Sequence, residues 1–361
     1  MKKEKEKKEK REFISLGIDV ASEKLDVFLR EKEEVNEEVN EEVNEEEKRE
    51  KRNGKKKAKG IDKTFANNFQ GISRLISFLK GKDFKGRIVM ESTGRYHSLS
   101  AVLLQEANFK VFVINPLIVK KYRTSQIRKT KTDRIDARLL SLAALIEKNL
   151  LLFESSREDL VLRQKISLLN CLEKSIQRLK ASFLNYESSV LSLERETTEV
   201  EEELKKTIKK LGKNKGKLEK EIAEIISQKK GNQNKIEILR SIPGVSEFLA
   251  SLILFFYKEN IGHKSSQWIA YSGMEITVSE SGKFKGKGKI SKRGNRYLRK
   301  RQFSGAWGAY MHSEEFKNYY QELKEKGRTH REALNILARK IIRISFSLLK
   351  HNKRFDAAKC F

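Results

Sequence analysis

Cysteine and proline are each present only twice in this chain of 361 residues, and histidine five times. Cys171 and Cys360 lie far apart, with neither a Cys-x-x-Cys pair nor the dense spacing of a disulfide framework. That excludes a cysteine zinc site and points to a reducing, cytoplasmic setting. The histidines, at 97, 263, 312, 330 and 351, are scattered without metal-ligand spacing, so none is assigned a catalytic role. Long apolar runs are missing as well. The longest, FLASLILFFY at Phe248–Tyr257, is about half of what a bilayer crossing needs. The first residues, MKKEKEKKEKRE, lack the apolar core of a secretory signal.

Acid is in short supply relative to base. Lys and Arg number 78 against 50 Asp and Glu, a formal charge of +28 with a pI near 9.8. A small-molecule enzyme has no need of such a surplus, and a polyanion, nucleic acid above all, is the partner it implies. The 19 Phe and 9 Tyr argue that the charge rides on packed domains and not on a disordered polyelectrolyte. The length suits two or three of them.

Residues 1–11 read as a basic tail. FISLGIDV (Phe13–Val20) and KLDVFL (Lys24–Leu29) alternate as strands and look like a hairpin. Composition changes abruptly at about 31–59: EEVN repeats three times from Glu33 to Asn44, and a basic run, KRNGKKKAK, follows. Residues 31–50 hold eleven Glu against three basic residues, and almost nothing there can be buried, so a disordered insert in a hairpin loop is expected. After it come KTFANN near Lys63, a helix around Gly71–Leu79, a strand at Arg87–Thr93, a helix near Ser98–Ala107 and a strand at Lys110–Asn115, with Pro116 opening a further helix. Strands alternating with helices make 12–150 an α/β domain. From 157 to 235, Leu and Ile recur at helical spacing among Lys and Glu without a proline. The pattern predicts a coiled-coil hairpin bending at LGKNKGK (211–217), serving as a solvated spacer or a dimerisation arm. Residues 236–355 form a separate, mainly helical domain around a glycine-rich basic loop.

Several acids could carry chemistry. Asp19 lies within an apolar strand, and Glu91 ends the run Ile88-Val89-Met90 just before a Ser-Thr-Gly turn, where α/β proteins often place functional groups. In KTDRIDA, Asp133 and Asp136 are three apart and share a helix face, where they repel unless a cation intervenes. Asp133 alone could be a helix cap, which leaves Asp136 unexplained. Together the four carboxylates could hold two hard, oxygen-liganded ions, with Mg²⁺ the natural choice, and two such ions beside a phosphodiester support in-line displacement.

The C-terminal half carries two further features. SIPGV (Ser241–Val245) sets a Pro-Gly turn between helical segments, read either as a helix-hairpin-helix-like phosphate contact or as an ordinary turn. SGKFKGKGKISKRGNRYLRKR (Ser281–Arg301) holds ten Lys or Arg and no acid, interleaved with Phe284 and Tyr297. Phosphate binding is expected there through Lys283, Lys285, Lys287, Lys289, Lys292, Arg293, Arg296 and Arg299, and the glycines permit close backbone approach. Ser281, which opens the stretch, is either a plain loop residue or a nucleophile placed beside phosphates and cations.

In this order, GIDVASEKLDVFL, IVMESTGRYH, FVINPLIVKKY, KTDRIDARLLSLAA, LRSIPGVSEFLASLIL, ESGKFKGKGKISKRGNRYLRKR and EALNILARKIIRISFSLLK resemble the insertion-sequence transposases with an Asp-Glu-Asp-Asp tetrad. This is the family numbered one hundred and ten, which is related to the pilin-gene invertases. The resemblance spans nearly the whole chain outside the tail and the insert. It implies a RuvC-like, RNase-H-type N-terminal domain, a coiled coil and a C-terminal transposase domain. It also implies Mg²⁺ held by Asp19, Glu91, Asp133 and Asp136, a covalent phosphoserine link at Ser281, a homo-oligomer at work on donor and target DNA at the nucleoid, and a structured bridge RNA that pairs with both DNAs. The sequence departs from the family pattern after Gly273, where GMEITVSES replaces the frequent proline and offers Ser279 as a rival nucleophile. From the residues alone, a Holliday-junction-type nuclease using water and a non-catalytic nucleic-acid-binding protein remain as alternatives.

Overall fold

A computed structural model of the chain describes residues 12–32, 59–92, 96–116, 119, 133–147, 150–191, 198–257, 264–277, 280–281, 284–285 and 288–360. These fall into two units, 1–161 and 162–361.

The first unit is built on a five-stranded sheet. β1 (Phe13–Val20) and β2 (Lys24–Glu31) pair antiparallel, as their alternation predicts. β3 (Gly60–Ala66) adds to the far side of β2, again antiparallel, with Arg30 opposite Gly60. The acidic segment between them, outside the described residues, therefore joins β2 to β3. Sequence patterning left β3 without a strand assignment because only Ile61 and Phe65 of its seven residues turn toward the core. α1 (Phe69–Gly81), capped by Asn68, leads to β4 (Arg87–Glu91), and α2 (His97–Glu106) leads to β5 (Lys110–Ile114). β4 lies parallel to β1, and β5 parallel to β4, giving the order β3-β2-β1-β4-β5. Leu16, Ile18, Leu25, Val27, Ile88 and Met90 fill one face, beneath Leu75 and Leu79 of α1 and Ala101 and Leu104 of α2. The other face receives α3 (Asp133–Ile146), whose Leu140, Ala143 and Ala144 pack on Val89 and Ile114.

The second unit is helical. α4 (Arg157–Leu191), which begins in the first unit's last residues, and α5 (Glu199–Ser227) run antiparallel, with Lys165 meeting Glu221 and Lys205 reaching Glu187 at 2.7 Å. The expected bend at 211–217 is not there. α5 continues through Gly212 and Gly216, and the chain reverses between Leu191 and Thr198, whose side chain and Glu201 form a capping box. Each glycine costs about 1 kcal/mol of helix propensity, which the burial of Ile208, Ile222 and Ile226 offsets. The expected domain break at 235/236 also falls elsewhere. Leu162, Ile166, Leu169, Ile222 and Ile226 share one core with the helices that follow, α6 (Asn232–Arg240), α7 (Glu247–Phe256), α8 (Ser265–Ser272), α9 (Arg296–His312), α10 (Glu314–Glu325) and α11 (His330–His351). No helix among the described residues is long and apolar enough to cross a membrane.

Candidate functional site

The carboxylates are positioned by the register of the central strands. Ile18 of β1 pairs with Met90 of β4, so Asp19 and Glu91, one residue on, occupy equivalent places at the carboxyl ends of adjacent parallel strands and project from the same face. Gly17 lies on that face too, and a Cβ there would overlap the carbonyl oxygen of Ala137. Ser15 donates from Oγ to the Ser141 carbonyl at 2.9 Å, and Arg30 reaches Ser141 Oγ at 3.1 Å. With Ala137 over Gly17 and Ser141 over Ser15, α3 runs antiparallel to β1. Its first turn, with Asp133 and Asp136, is thereby turned toward the strand ends bearing Asp19 and Glu91.

Local environments differ. Asp136 is buried, whereas Asp19 and Glu91 are half-buried, and all three already have an interaction partner. Asp133 begins the helix, where the positive end of the helix dipole favours a carboxylate; its side chain is outside the described residues. Among the described residues, no three His, Cys, Asp or Glu side chains form a group able to hold a metal ion. Sequence reasoning passed over one acid on this face. Asp26 pairs with Asp19 across β1 and β2, is buried, and is held by Thr64 Oγ1 at 2.6 Å and Lys24 Nζ at 2.8 Å. The available signal was a carboxylate inside an apolar strand, the same feature that singled out Asp19.

The basic stretch of the second unit folds as two short ribbons leading into a helix. β6 (Ile276–Thr277) pairs with β9 (Lys289–Ile290), and between them β7 (Glu280–Ser281) pairs with β8 (Phe284–Lys285). Ser281 faces Phe284, so it is the last paired residue before the turn at the hairpin tip. The side chains of Ser281, Phe284 and Lys285 are outside the described residues, as are Ser279, Lys283 and Lys287. The base of the excursion is tight. A Cβ at Gly294 would overlap the Tyr271 carbonyl, Lys292 takes the left-handed conformation at φ 55°, and its N–H donates to Gly273 O at 3.0 Å. Asn295 then caps α9 by accepting from Leu298 N at 3.0 Å.

Not every cation of the run faces outward, which corrects the expectation of one uniform phosphate surface. Lys289, Lys292, Arg293 and Arg296 are exposed. Arg299 instead donates from Nη1 to the Ser272 carbonyl at 2.7 Å, closing the end of α8, and burial lowers its pKa. Lys300 binds Glu173 at 2.8 Å, and Arg301 binds Glu173 and, at 2.5 Å, Glu219. Tyr297, expected to be interleaved with the cations, is buried, with its hydroxyl 3.2 Å from the same Glu173 carboxylate. Burial pulls the Arg301 guanidinium down to about 10, and the two carboxylates it touches help to hold its charge. The Pro-Gly turn is likewise committed to packing: Gly244, at φ 79°, sits against Gly305 and Ala309 of α9 with no room for a Cβ.

A DEDD-type IS110 transposase family model matches residues 50–186, and a second, described as the transposase IS116/IS110/IS902 family, matches 236–321. The chain is an IS110-family transposase. It is similar to the pilin gene-inverting proteins of Moraxella bovis and Moraxella lacunata, each 24% identical over 302 residues that cover 81% of this chain and 90% of theirs. An uncharacterized 43.6 kDa protein of insertion element IS110 from Streptomyces coelicolor is 26% identical over 121 residues, which is 33% of the transposase and 30% of that protein. The first matched segment contains Glu91, Asp133 and Asp136, and the second contains Ser281 and the basic run. DNA is therefore what this transposase acts on, as an enzyme that cleaves and rejoins strands.

Proposed function

We propose that the transposase cuts DNA with a serine nucleophile, Ser281, assisted by Mg²⁺ at Asp19, Glu91, Asp133 and Asp136. The observation that carries this reading is the shared register of Asp19 and Glu91 on adjacent parallel strands, with the Asp-x-x-Asp end of α3 turned toward them. The strand order, three antiparallel strands followed by two parallel ones, supports an RNase-H-type, RuvC-like frame. All four candidate ligands are carboxylates, the hard oxygen donors that Mg²⁺ prefers, usually as a pair of ions in phosphoryl transfer. When bound, such ions supply charge stabilisation for attacking and leaving oxygens.

The protein's own groups do the rest. The Ser281 hydroxyl attacks the scissile phosphorus, losing its proton as a phosphoserine ester forms, and the departing deoxyribose oxygen takes up a proton. Attack of a new strand's hydroxyl on that ester returns the serine and rejoins DNA. Lys289, Lys292, Arg293 and Arg296 hold the flanking backbone. The family resemblance extends the reading to a homo-oligomer guided by a structured bridge RNA. The relatives' printed name supports inversion of a DNA segment as one outcome.

Strand transfer measured for Ser281→Ala, Ser279→Ala and Asp136→Asn tests this. Loss in Ser281→Ala and Asp136→Asn with activity kept in Ser279→Ala is the expected result. Cleavage retained in Ser281→Ala would sink the serine mechanism in favour of a water-using, Holliday-junction-type nuclease.

A further inference from the structure

Away from the basic hairpin, the C-terminal helices enclose a second cationic hollow. α11 presents Lys340, Arg343 and Ser347 at spacings of three and four, hence along one side of the helix. With Tyr319 of α10 and the Lys359–Cys360 segment they line a cavity of about 380 Å³, floored by Ile344 and Leu348. That volume lies in the range of small-ligand sites, and an apolar floor with a few convergent polar groups is their usual make-up.

Its charge is positive on balance. Lys340, Arg343 and Lys359 bring three cations to it. Among the described residues, Asp356 stands 2.9 Å from Lys359, and Glu322 attracts Lys340 and also pairs with Lys326 at 3.8 Å. Cys360 adds no opposing charge at neutral pH, since burial raises its thiol pKa. The Lys340 ammonium stands 4.2 Å over the Tyr319 ring, which fixes its position at the cavity wall. One residue back, Arg339 lies close enough to feel the like charge of Arg343, and its buried Nε has no hydrogen-bond partner among the described residues. The like charges of Arg339 and Arg343 repel one another, and a bound anion would offset that repulsion.

We propose that this hollow binds a phosphate group, with Arg343 as the bidentate donor, Lys340 and Lys359 as point charges and Ser347 as a hydroxyl donor. The inference is independent of Ser281 and of the carboxylates. Phosphate here has two sources, a phosphodiester of the bound DNA or RNA strand, or a free phosphate or nucleotide. In either case it is a contact separate from the basic hairpin.

The test compares the full-length wild type with Lys340→Gln/Arg343→Gln, and with Ser347→Asp, which sets a carboxylate at an exposed helix position. Each is titrated with a labelled DNA duplex, a labelled single-stranded RNA, inorganic phosphate and a mononucleotide, with thermal melting as the folding control. For a strand phosphate, affinity for DNA or RNA drops about tenfold or more in both variants, and the salt slope of the double variant falls by about two. For a free phosphate or nucleotide, calorimetric binding of the small anion is lost while strand affinity stays at wild-type level. Wild-type binding of all four probes by folded variants, or no binding of the small anions by any form together with unaltered strand affinity, would overturn the proposal. Arg343→Lys keeps the charge but loses the fork and is expected to recover only part of the binding.

Discussion

Gly17 of β1 lies directly beneath the carbonyl of Ala137 in α3, with no room for a side chain between them. This contact sets the height of α3 above the sheet and thereby the distance from Asp133 and Asp136 to the ends of β1 and β4. Replacing Gly17 by Ala forces helix and strand apart. We expect Gly17→Ala to cost about 1–3 kcal/mol, as overpacking does, and to lower strand cleavage by much more than that instability explains. Melting curves alongside cleavage at a temperature where both forms are folded separate the two effects. Wild-type cleavage in a folded Gly17→Ala would show that the placement of α3 does not matter for activity.

Within the basic run, two kinds of cation predict two kinds of variant. Lys292→Gln and Arg293→Gln, at exposed positions, should each reduce the salt slope of DNA binding by about 0.9 and leave stability nearly unchanged. Lys300→Gln should do the reverse, since its ammonium serves the buried Glu173. Glu173→Ala, which leaves Arg301 with Glu219 alone and takes the same acceptor from Lys300 and the Tyr297 hydroxyl, should be the most harmful, at about 1–3 kcal/mol. Salt titrations and denaturant midpoints on the same proteins decide this. Equal slope changes for Lys300 and Lys292 would contradict the assignment.

Gly212 and Gly216 stand in the middle of α5 with open space where a Cβ would be. Gly212→Ala and Gly216→Ala should each stabilise the protein, by up to about 1 kcal/mol, and leave cleavage intact. A loss of stability in either variant would argue for the bend that the sequence suggests.

Tyr257 offers a pH signature in the second unit. Its hydroxyl donates to the Trp268 carbonyl at 3.0 Å and accepts from Gln302 Nε2 at 2.8 Å, and burial pushes its pKa to about 12 from 10.0. Above pH 10 the unfolded chain gives up this proton more readily than the folded one does. The folded state therefore loses stability as pH rises from about 10 through about 12, and holds this contribution in full below 10. Tyr257→Phe removes that part of the alkaline slope. Denaturant unfolding at intervals across this window should give a flatter profile for the variant; an unchanged profile would mean that the tyrosine does not titrate differently on folding.

The sequence reading and the fold agree where the signal is local. Alternation marks β1 and β2, and the apolar run at 88–90 marks β4, because each of these strands carries its own pattern of burial. β3 has no such pattern because this edge strand turns only Ile61 and Phe65 toward the core, and neither is fully buried. The bend at 211–217 was misplaced because glycine lowers helix propensity by an amount that tertiary packing readily offsets. Asp26 carries the same local signal as Asp19, a carboxylate inside an apolar strand, but its place opposite Asp19 follows from strand pairing, which no spacing along the chain encodes.

By itself the sequence determined the acids at strand ends, the Asp-x-x-Asp pair, the Ser-Gly ahead of a run of ten cations and the likeness to a transposase family. All of these are carried by residue type and short spacing. Only the tertiary structure decided which charges are available. Glu173 lies more than a hundred residues before Lys300 and Arg301, yet it binds both, while Lys292 and Arg293 in the same run face solvent. A net charge counts every cation alike. Folding distinguishes them, because a buried cation must find a carboxylate close by, and that carboxylate can come from any part of the chain that packing brings near.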